Sequence, residues 1–184
     1  MLLTSKEINT VPKILLNAYH FDCQLFHQVN QYFDHKGLNL FFRIITRLGG
    51  ATFTIALTML LVLFTQNQHK YTAMASALAL AFSHLPVHIV KKLFPRKRPY
   101  LTLEKTKFPV DALKDHSFPS GHTTAIFSVI TPYVLLMPYL SFILIPLGLS
   151  VGVSRIYLGL HYPSDVLVGI ILGSSVGATC FLII

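Results

Sequence analysis

The sequence predicts an all-α fold, a polytopic bundle of about five membrane-spanning helices preceded by an amphipathic helical segment. Hydrophobic residues make up 53% of the 184 residues, and charged residues make up only 12%. The mean hydropathy is +0.59. Soluble domains carry roughly a quarter charged residues, so this composition is typical of a chain whose core is built in lipid.

Five mostly apolar stretches are long enough for helices that cross a bilayer, which needs about 20 such residues. They are residues 49–66, residues 71–90, two stretches within 118–154, and residues 163–184. The stretch 118–154 is too long for one helix. Because proline starts a helix well but continues one badly, Met137-Pro138-Tyr139 predicts the break that divides it.

The first 48 residues are predicted to form a segment of their own, 1–48, ahead of a membrane core at 49–184. Apolar side chains at Phe26, Val29 and Phe33 have the spacing of one helix face. Charged residues interrupt this segment too often for a membrane span. We therefore predict an amphipathic helical segment in the membrane interface rather than a sixth span. A short helical hairpin around Gly37 is the alternative.

Three groups of polar residues lie at the ends of the apolar stretches, where a charged residue is costly unless it serves a function. They are Lys91 with Arg98-Pro99, then Pro119-Ser120-Gly121-His122, then Ser154-Arg155 with His161 and Asp165. The polar interval 91–117 holds eight Lys or Arg residues against three acidic ones. Cations and imidazoles that recur in this way indicate a site that binds a phosphate and reacts with it.

The three groups, in this order and spacing, resemble the three-part signature of the type 2 phosphatidic acid phosphatase (PAP2) superfamily. They cover residues 91–165. The resemblance implies a helical membrane enzyme that hydrolyses a lipid phosphate through a phosphohistidine, with no metal and no other cofactor. It also implies that His161 is the nucleophile, that Asp165 orients it, and that His122 is the acid and base.

The residue types fit phosphoryl transfer, whose transition state spreads negative charge over three oxygens. The residues expected to bind the phosphate are Lys91, Arg98, Ser120, Gly121, His122 and Arg155. A carboxylate bonded to one imidazole nitrogen leaves the other nitrogen free to attack phosphorus, which favours His161 as nucleophile and Asp165 as its partner. His122 would then protonate the leaving alkoxide and activate water.

Other polar residues near these groups are expected to have structural roles. His84 and His88 lie four residues apart on one predicted helix, but no carboxylate or third ligand is near them in the sequence. Neutral, hydrogen-bonded histidines are therefore favoured over a metal site. The residues expected at the mouth of the site are Asp111, Asp115 and His116, and those expected to face headgroups or water are Lys92, Arg96 and Lys97.

Glycines recur at intervals of four in the last two predicted spans. One stripe comprises Gly169, Gly173 and Gly177, and a shorter one comprises Gly148 and Gly152. Small residues at this spacing let helices approach closely. We favour packing within the chain, and a homodimer through these faces is the alternative.

The expected substrate is a lipid phosphate, because the cationic site lies at the boundary between lipid and water. We predict hydrolysis of a phosphomonoester of the phosphatidic acid or phosphatidylglycerol phosphate type, with membrane lipids rather than nucleic acid as partners. One alternative is an undecaprenyl (polyprenyl) diphosphate phosphatase. Another, of a different class, is a non-catalytic lipid-binding or transport protein on the same fold.

The predicted location is the cell membrane, crossed several times. With five spans, the side that carries the site also carries nearly all Lys and Arg residues, which points to the cytoplasm by the positive-inside rule. The resemblance favours a site that faces outward. The sequence therefore leaves the side of the active site open.

Overall fold

The structure, a computed structural model, describes residues 13–109 and 115–184. Asp111 and the first 12 residues of the predicted segment 1–48 lie outside them. In the part described, the regular elements are eight α-helices and three short 3-10 turns. The helices are α1 (Lys13–Asn30), α2 (Lys36–Ile45), α3 (Ala51–Phe64), α4 (Asn67–Leu93), α5 (Pro99–Thr102), α6 (Gly121–Leu136), α7 (Ser141–Tyr157) and α8 (Pro163–Ile183). The predicted all-α fold is confirmed.

The predicted break at Pro138 is confirmed as well. Helix α6 ends at Leu136, and a 3-10 turn over Pro138–Leu140 leads into α7. Pro138 occupies the first position of that turn, where its missing N–H removes no hydrogen bond of a preceding helix. The uncharged stretch is thus folded into two helices.

Each of the five predicted spans forms a helix, but they differ in length. By length and composition, and among the described residues only, three stretches can cross a membrane alone: Asn67–Leu93, Pro138–Tyr157 and Pro163–Ile183. The helical stretches Lys36–Gly49 and Ala51–Phe64 are long and apolar enough to cross a membrane only when taken together, with a bend of 53° between them. Helix α6 has 16 residues, and at about 1.5 Å per residue it is shorter than a hydrocarbon core of about 30 Å. The structure therefore gives three to four candidate spans, where composition alone predicts about five.

Helix α6 lies at the centre of the bundle. It packs against α3, α4, α7 and α8. Residues 123–130 of α6 are all buried, and Ile126, Phe127 and Ile130 form a core cluster with Val151 of α7. Protein rather than lipid surrounds α6, so this helix does not need the length of a membrane span.

The glycines of α8 face α6. A Cβ atom at Gly173 would lie 2.4 Å from the Thr124 carbonyl oxygen, and one at Gly169 would lie 2.9 Å from the Ser120 carbonyl oxygen. The remaining glycines of both stripes, Gly148, Gly152 and Gly177, also abut side chains of α6 or α8. The predicted packing within the chain is confirmed. The chain itself occupies these faces, and the homodimer considered as an alternative stays a prediction.

The described part of segment 1–48 packs on α7 and α8. Phe26 of α1 is fully buried against Ile156 and Val166. The Asn30 amide donates to the carbonyl oxygens of Tyr157, at 2.9 Å, and of Lys107. Helix α1 is therefore an integral part of the packing around one end of the bundle. The division into 1–48 and 49–184, and the placement of the first segment in the membrane interface, stay predictions.

Four helix ends meet at that end of the bundle. Helices α4 and α7 end there, and α6 and α8 begin there, as shown by hydrogen bonds that join their flanking residues. The backbone N–H of Ser120, before α6, donates to the Asp165 carbonyl oxygen in α8 at 3.0 Å. Sequence groups far apart along the chain are brought together in this way.

Candidate active site

His161 and Asp165 face each other where α8 begins. Nδ1 of His161 lies 3.5 Å from Oδ2 of Asp165, and both side chains are buried. Asp165 belongs to the cap of α8, because Oδ2 accepts a hydrogen bond of 2.9 Å from the backbone N–H of Tyr162. The helix cap therefore holds the carboxylate beside the imidazole, as the four-residue spacing predicts.

Further donors hold the Asp165 carboxylate on both of its oxygens. The hydroxyl of Ser117 donates to Oδ2 at 2.7 Å, and Nη1 of Arg96 donates to Oδ1 at 2.8 Å. A buried carboxylate needs such partners to stay charged and fixed. Its orientation toward His161 is therefore set by several elements at once.

Arg98 lies directly against His161. The Arg98 side chain is fully buried, and its Nη1 donates to the Leu160 carbonyl oxygen at 2.7 Å and lies 3.1 Å from Nε2 of His161. Its Nε and Nη2 donate to the backbone carbonyl and to the carboxylate of Asp115, at 2.8 and 2.6 Å. The predicted phosphate-binding arginine thus meets the predicted nucleophile.

Asp115 contacts the site residues more closely than its predicted place at the mouth of the site implies. Its carboxylate forms ion pairs with both Arg98 and Lys91, although it is half-exposed. Partial burial raises the pKa of Asp115, but the hydrogen bonds and charges of Lys91 and Arg98 outweigh burial and lower the pKa to about 2. An anion is therefore held between two of the predicted phosphate-binding cations.

Arg155 is the second buried arginine of the site. Its Nη1 donates to the hydroxyl of Thr46 at 2.8 Å. Its Nε and Nη2 are buried and have no hydrogen-bond partner within residues 13–109 and 115–184. A buried guanidinium without an anion is costly. Two free donors of one planar fork match two oxygens of a phosphate.

The start of α6 supplies backbone donors. Ser120 is the N-cap residue of α6, and its Oγ lies 2.9 Å from Oγ1 of Thr123. A Cβ atom at Gly121 would meet nothing within 4 Å, so a ligand has room to approach the backbone there. The first N–H groups of a helix have no partner within it and bind anions. Ser120, Gly121 and His122 lie at this helix end as predicted.

His122 lies next to a pair of glycines that precede α3. A Cβ atom at Gly49 would lie 2.7 Å from the His122 carbonyl oxygen, and one at Gly50 would lie 3.8 Å from its Nε2 atom. Glycine at these positions lets α3 approach His122 closely. His122 also lies within electrostatic reach of His161 and of the three predicted phosphate-binding cations, Lys91, Arg98 and Arg155. The structure thus brings all the predicted site residues to one end of the bundle.

The environment of His161 favours the neutral imidazole. Burial lowers the pKa of His161 most strongly, the Asp165 carboxylate raises it, and the charges of Arg155 and Arg98 lower it further. The resulting pKa is about 4. At neutral pH the imidazole therefore carries one proton and keeps one nitrogen lone pair free.

The expectation that Arg96 faces headgroups or water is wrong. Its Nη1 and Nη2 donate to Asp165 and Asp22, both at 2.7 to 2.8 Å, and its guanidinium lies 3.7 Å from the centre of the Tyr162 ring. The neighbouring Lys92 and Lys97 are exposed, as expected. Lys92, Arg96 and Lys97 look alike in sequence, and only the folded positions of Asp22 and Asp165 distinguish Arg96 from the other two.

His84 of α4 makes a simple local contact. Nδ1 of His84 lies 2.7 Å from the Leu80 carbonyl oxygen, to which its N–H donates. In the part of the chain that the structure describes, no group of three or more His, Cys, Asp or Glu residues is placed to hold a metal ion.

Three further residues of the site are not predicted from the sequence: Asp22, Thr46 and Ser117. Asp22 and Thr46 lie in the first 48 residues, 74 positions from Arg96 and 109 from Arg155. Ser117 has a weak signal, since it lies three residues before Ser120. Only the fold shows that these side chains hold Arg96, Arg155 and Asp165.

Comparison with known proteins agrees with this geometry. Residues 70–184 match the sequence profile of the PAP2 superfamily. The chain belongs to this superfamily. All three sequence groups lie within the PAP2 match, and together with the apolar helices the match identifies a membrane protein.

Relatives within the PAP2 superfamily include proteins named for lipid substrates. The lipid A 1-phosphatase of Rhizobium etli is 29% identical over 151 residues, covering 71% of this chain and 64% of that relative. The undecaprenyl-diphosphatase of Sulfolobus acidocaldarius is 27% identical over 155 residues, covering 84% of this chain and 74% of that relative. The chain thus spans less than two thirds of the length of the first of these PAP2 relatives.

A solved structure shows the same PAP2 architecture. The crystal structure of Aquifex aeolicus LpxE superposes with a TM-score of 0.77 at 28% identity, covering 87% of this chain and 94% of that chain. The superposition extends beyond the matched residues 70–184, so it includes part of the N-terminal helices.

Proposed function

We propose that this protein is a membrane phosphatase that removes the phosphate of a lipid phosphomonoester through a phosphohistidine at His161. The observation that carries the proposal is the buried Arg155 fork. Two of its donors lack partners among the described residues, and its charge acts on both His122 and His161. A phosphate placed there would satisfy the buried cation and meet both imidazoles.

The phosphate would be held by charge and by a helix start. Arg155 and Arg98 would bind its oxygens with planar forks, Lys91 would act as a point charge, and the backbone at Ser120, Gly121 and His122 would donate from the start of α6. Lys91 and Arg98 now share the carboxylate of Asp115. The incoming phosphate would replace that carboxylate, since it offers more charge and more acceptor oxygens.

The reaction follows from the two histidines. Nε2 of His161 attacks phosphorus, the bond between phosphorus and the lipid oxygen breaks, and His122, protonated in the complex with the phosphate, gives that proton to the leaving alkoxide. A water molecule then gives a proton to His122 and attacks the phosphohistidine, which releases inorganic phosphate and restores His161. The fixed cations stabilise the charge of both transition states. Neither step needs a metal or another cofactor.

The lipid substrate is supported by where the site lies. It is built at the ends of apolar helices, so a headgroup can reach it while the acyl chains stay beside the helices. We place the protein in the cell membrane, which it crosses several times. The names of the relatives, lipid A 1-phosphatase and undecaprenyl-diphosphatase, support a lipid whose phosphate is removed.

A polyprenyl diphosphate is the second candidate substrate, favoured by the undecaprenyl-diphosphatase relative. A non-catalytic lipid-binding role is not supported by the paired His161 and Asp165, which binding alone does not require. Purified protein in detergent should be assayed for phosphate release from phosphatidic acid, phosphatidylglycerol phosphate and undecaprenyl diphosphate, with His161→Ala as the inactive control.

The relative kcat/KM values for the two substrate classes distinguish the proposal from its alternative. Higher kcat/KM on the lipid monophosphates supports the proposal, and higher kcat/KM on the diphosphate favours the alternative. Binding of every lipid with no phosphate release from any of them would refute both enzymatic functions.

A further inference from the structure

We infer that Arg96 and Asp22 form a positioning pair that holds the Asp165 carboxylate in the orientation that His161 requires. The inference rests on the proposed function, since it assigns a role within the same reaction. Arg96 lies between two of the predicted phosphate-binding residues in sequence, but its side chain points to the carboxylate behind the nucleophile. It is a positioning residue, because its contacts are with Asp165 rather than with the phosphate site.

Arg96 binds the far oxygen of the carboxylate. Its Nη1 donates to Oδ1 of Asp165 at 2.8 Å, whereas His161 lies next to Oδ2. Ser117 and the Tyr162 backbone N–H also donate to Oδ2. An ion pair on one oxygen and hydrogen bonds on the other prevent rotation of the carboxylate. Because Nδ1 of His161 is already 3.5 Å from Oδ2, a small rotation would break this contact.

Asp22 fixes Arg96 from the opposite side. Its Oδ2 accepts from Nη2 of Arg96 at 2.7 Å and from the Ser164 hydroxyl at 2.6 Å, and its Oδ1 accepts from the Ser164 backbone N–H at 2.8 Å. The Asp22 side chain is only 9% exposed. A carboxylate of α1 therefore caps the first turn of α8 and orients the arginine that binds Asp165.

The Tyr162 ring completes the support of Arg96. The guanidinium carbon lies 3.7 Å from the ring centre, which is close for a cation–π contact. The Ser164 hydroxyl also accepts from Nη1 of Arg96 at 2.7 Å. The planar guanidinium is thus held by two carboxylates, one hydroxyl and the Tyr162 ring, and the centre of the Tyr19 ring lies 6.0 Å from it. Lysine has one charged nitrogen and cannot reproduce this arrangement.

A tether between α1 and the bundle is the competing explanation, and the chain offers a matched control for it. Lys107 and Asp34 form another ion pair, between the loop after α5 and the 3-10 turn that follows α1, and both side chains are exposed. This pair also joins the N-terminal segment to the polar interval 91–117, without a contact to Asp165. Loss of a tether should affect both pairs alike, whereas loss of positioning should affect only Arg96 and Asp22.

The test is steady-state kinetics of Arg96→Gln, Arg96→Lys and Asp22→Asn on the best lipid substrate, with Lys107→Gln and Asp34→Asn as controls. Each kcat is expressed per vanadate-binding site, so that unfolded protein does not count. We expect kcat to fall by roughly 10-fold or more in the first three variants, with KM within about twofold of wild type, because orientation rather than phosphate binding is lost. Both control variants should keep wild-type kcat.

A double-mutant cycle with Asp165→Asn then tests the target of the pair. If Arg96 acts through the carboxylate, Arg96→Gln should change the residual kcat of Asp165→Asn by less than about twofold. An equal loss in both backgrounds, or wild-type kcat in Arg96→Gln and Asp22→Asn, would overturn the inference. If Arg96→Gln yields no folded protein, Asp22→Asn and Ser164→Ala carry the same cycle. Failure of wild-type protein to release phosphate would instead refute the proposed function.

Discussion

Nη1 of Arg98 lies 3.1 Å from Nε2 of His161. Arginine carries only donors and does not lose its charge, so Nε2 must accept this hydrogen bond and carry no proton. The single proton of the neutral ring is then on Nδ1, which faces Asp165. The lone pair needed for attack on phosphorus therefore points toward the arginine expected to bind that phosphate.

The protonation state of the His161 ring can be measured directly. Since burial and nearby cations lower its pKa to about 4, His161 should be neutral at pH 7 and able to attack. The neutral form is present above that pKa and is lost as the pH falls through about 4. We expect a nitrogen NMR titration of histidine-labelled protein to show a midpoint near pH 4 for the resonance that disappears in His161→Gln.

The exposed His20, assigned by His20→Gln, supplies a reference resonance in the same sample. A midpoint for His161 at or above 6.5, the usual histidine value, would contradict the environment described for it.

Replacement of Asp165 by asparagine tests the orienting carboxylate. The asparagine keeps the size of the side chain but removes its charge, and it no longer favours a proton on Nδ1. We expect kcat to fall by a factor of roughly 10² to 10⁴, as in other carboxylate–histidine pairs. Phosphate release should be measured alongside the unfolding temperature, because Asp165 also caps α8. Near-normal turnover of Asp165→Asn would remove this residue from the reaction.

Arg155→Lys separates the shape of the guanidinium from its charge. The two unpartnered donors of Arg155 belong to one planar group, and lysine offers only a point charge. We expect a large fall in kcat/KM, by at least about 10-fold. The matched control is Lys97→Gln, because Lys97 is exposed and lies next to Arg98 in sequence. It should change mainly the dependence on salt.

Both variants can be assayed in detergent micelles at two ionic strengths. If Arg155→Lys behaves like wild type while Lys97→Gln is inactive, the phosphate pocket is formed by the loop after α4 and not by Arg155.

Removal of metal ions should leave turnover unchanged. The positive charge of the proposed pocket comes from Lys91, Arg98 and Arg155, so a divalent cation has no assigned task. We expect full activity in excess EDTA and inhibition by vanadate, which adopts the five-coordinate shape of a transferring phosphoryl group. Loss of activity on chelation, restored by Mg²⁺ or Zn²⁺, would require a different mechanism.

The sequence predicts the helices and the reacting residues for physical reasons that act locally. Uncharged length and the position of Pro138 determine where helices begin and end, and the break there is observed. His161 and Asp165 are four residues apart at a helix start, so their contact follows from local geometry. Structural features that depend on residues close together in the sequence were therefore predictable.

Contacts between distant segments were not predictable in the same way. Nothing in the sequence places Asp22 beside Arg96, or Thr46 beside Arg155, because those contacts depend on how α1 and α2 pack on α7 and α8. The number of spans was also hard to predict, since α6 is short and surrounded by other helices. Composition shows that a helix is apolar, but not whether protein or lipid surrounds that helix.

The central claim, a covalent phosphohistidine at His161, is tested most directly by trapping that intermediate. Wild-type protein mixed with a ³²P-labelled lipid monophosphate and denatured within milliseconds in alkali should carry acid-labile label on one peptide, identified by mass spectrometry as containing phosphorylated His161. The label should be absent from His161→Ala, and it should form and disappear more slowly in His122→Ala, which lacks the residue proposed to protonate the leaving alkoxide and to activate water. Label on His122 instead, or rapid turnover with no labelled histidine at any time, would contradict the account.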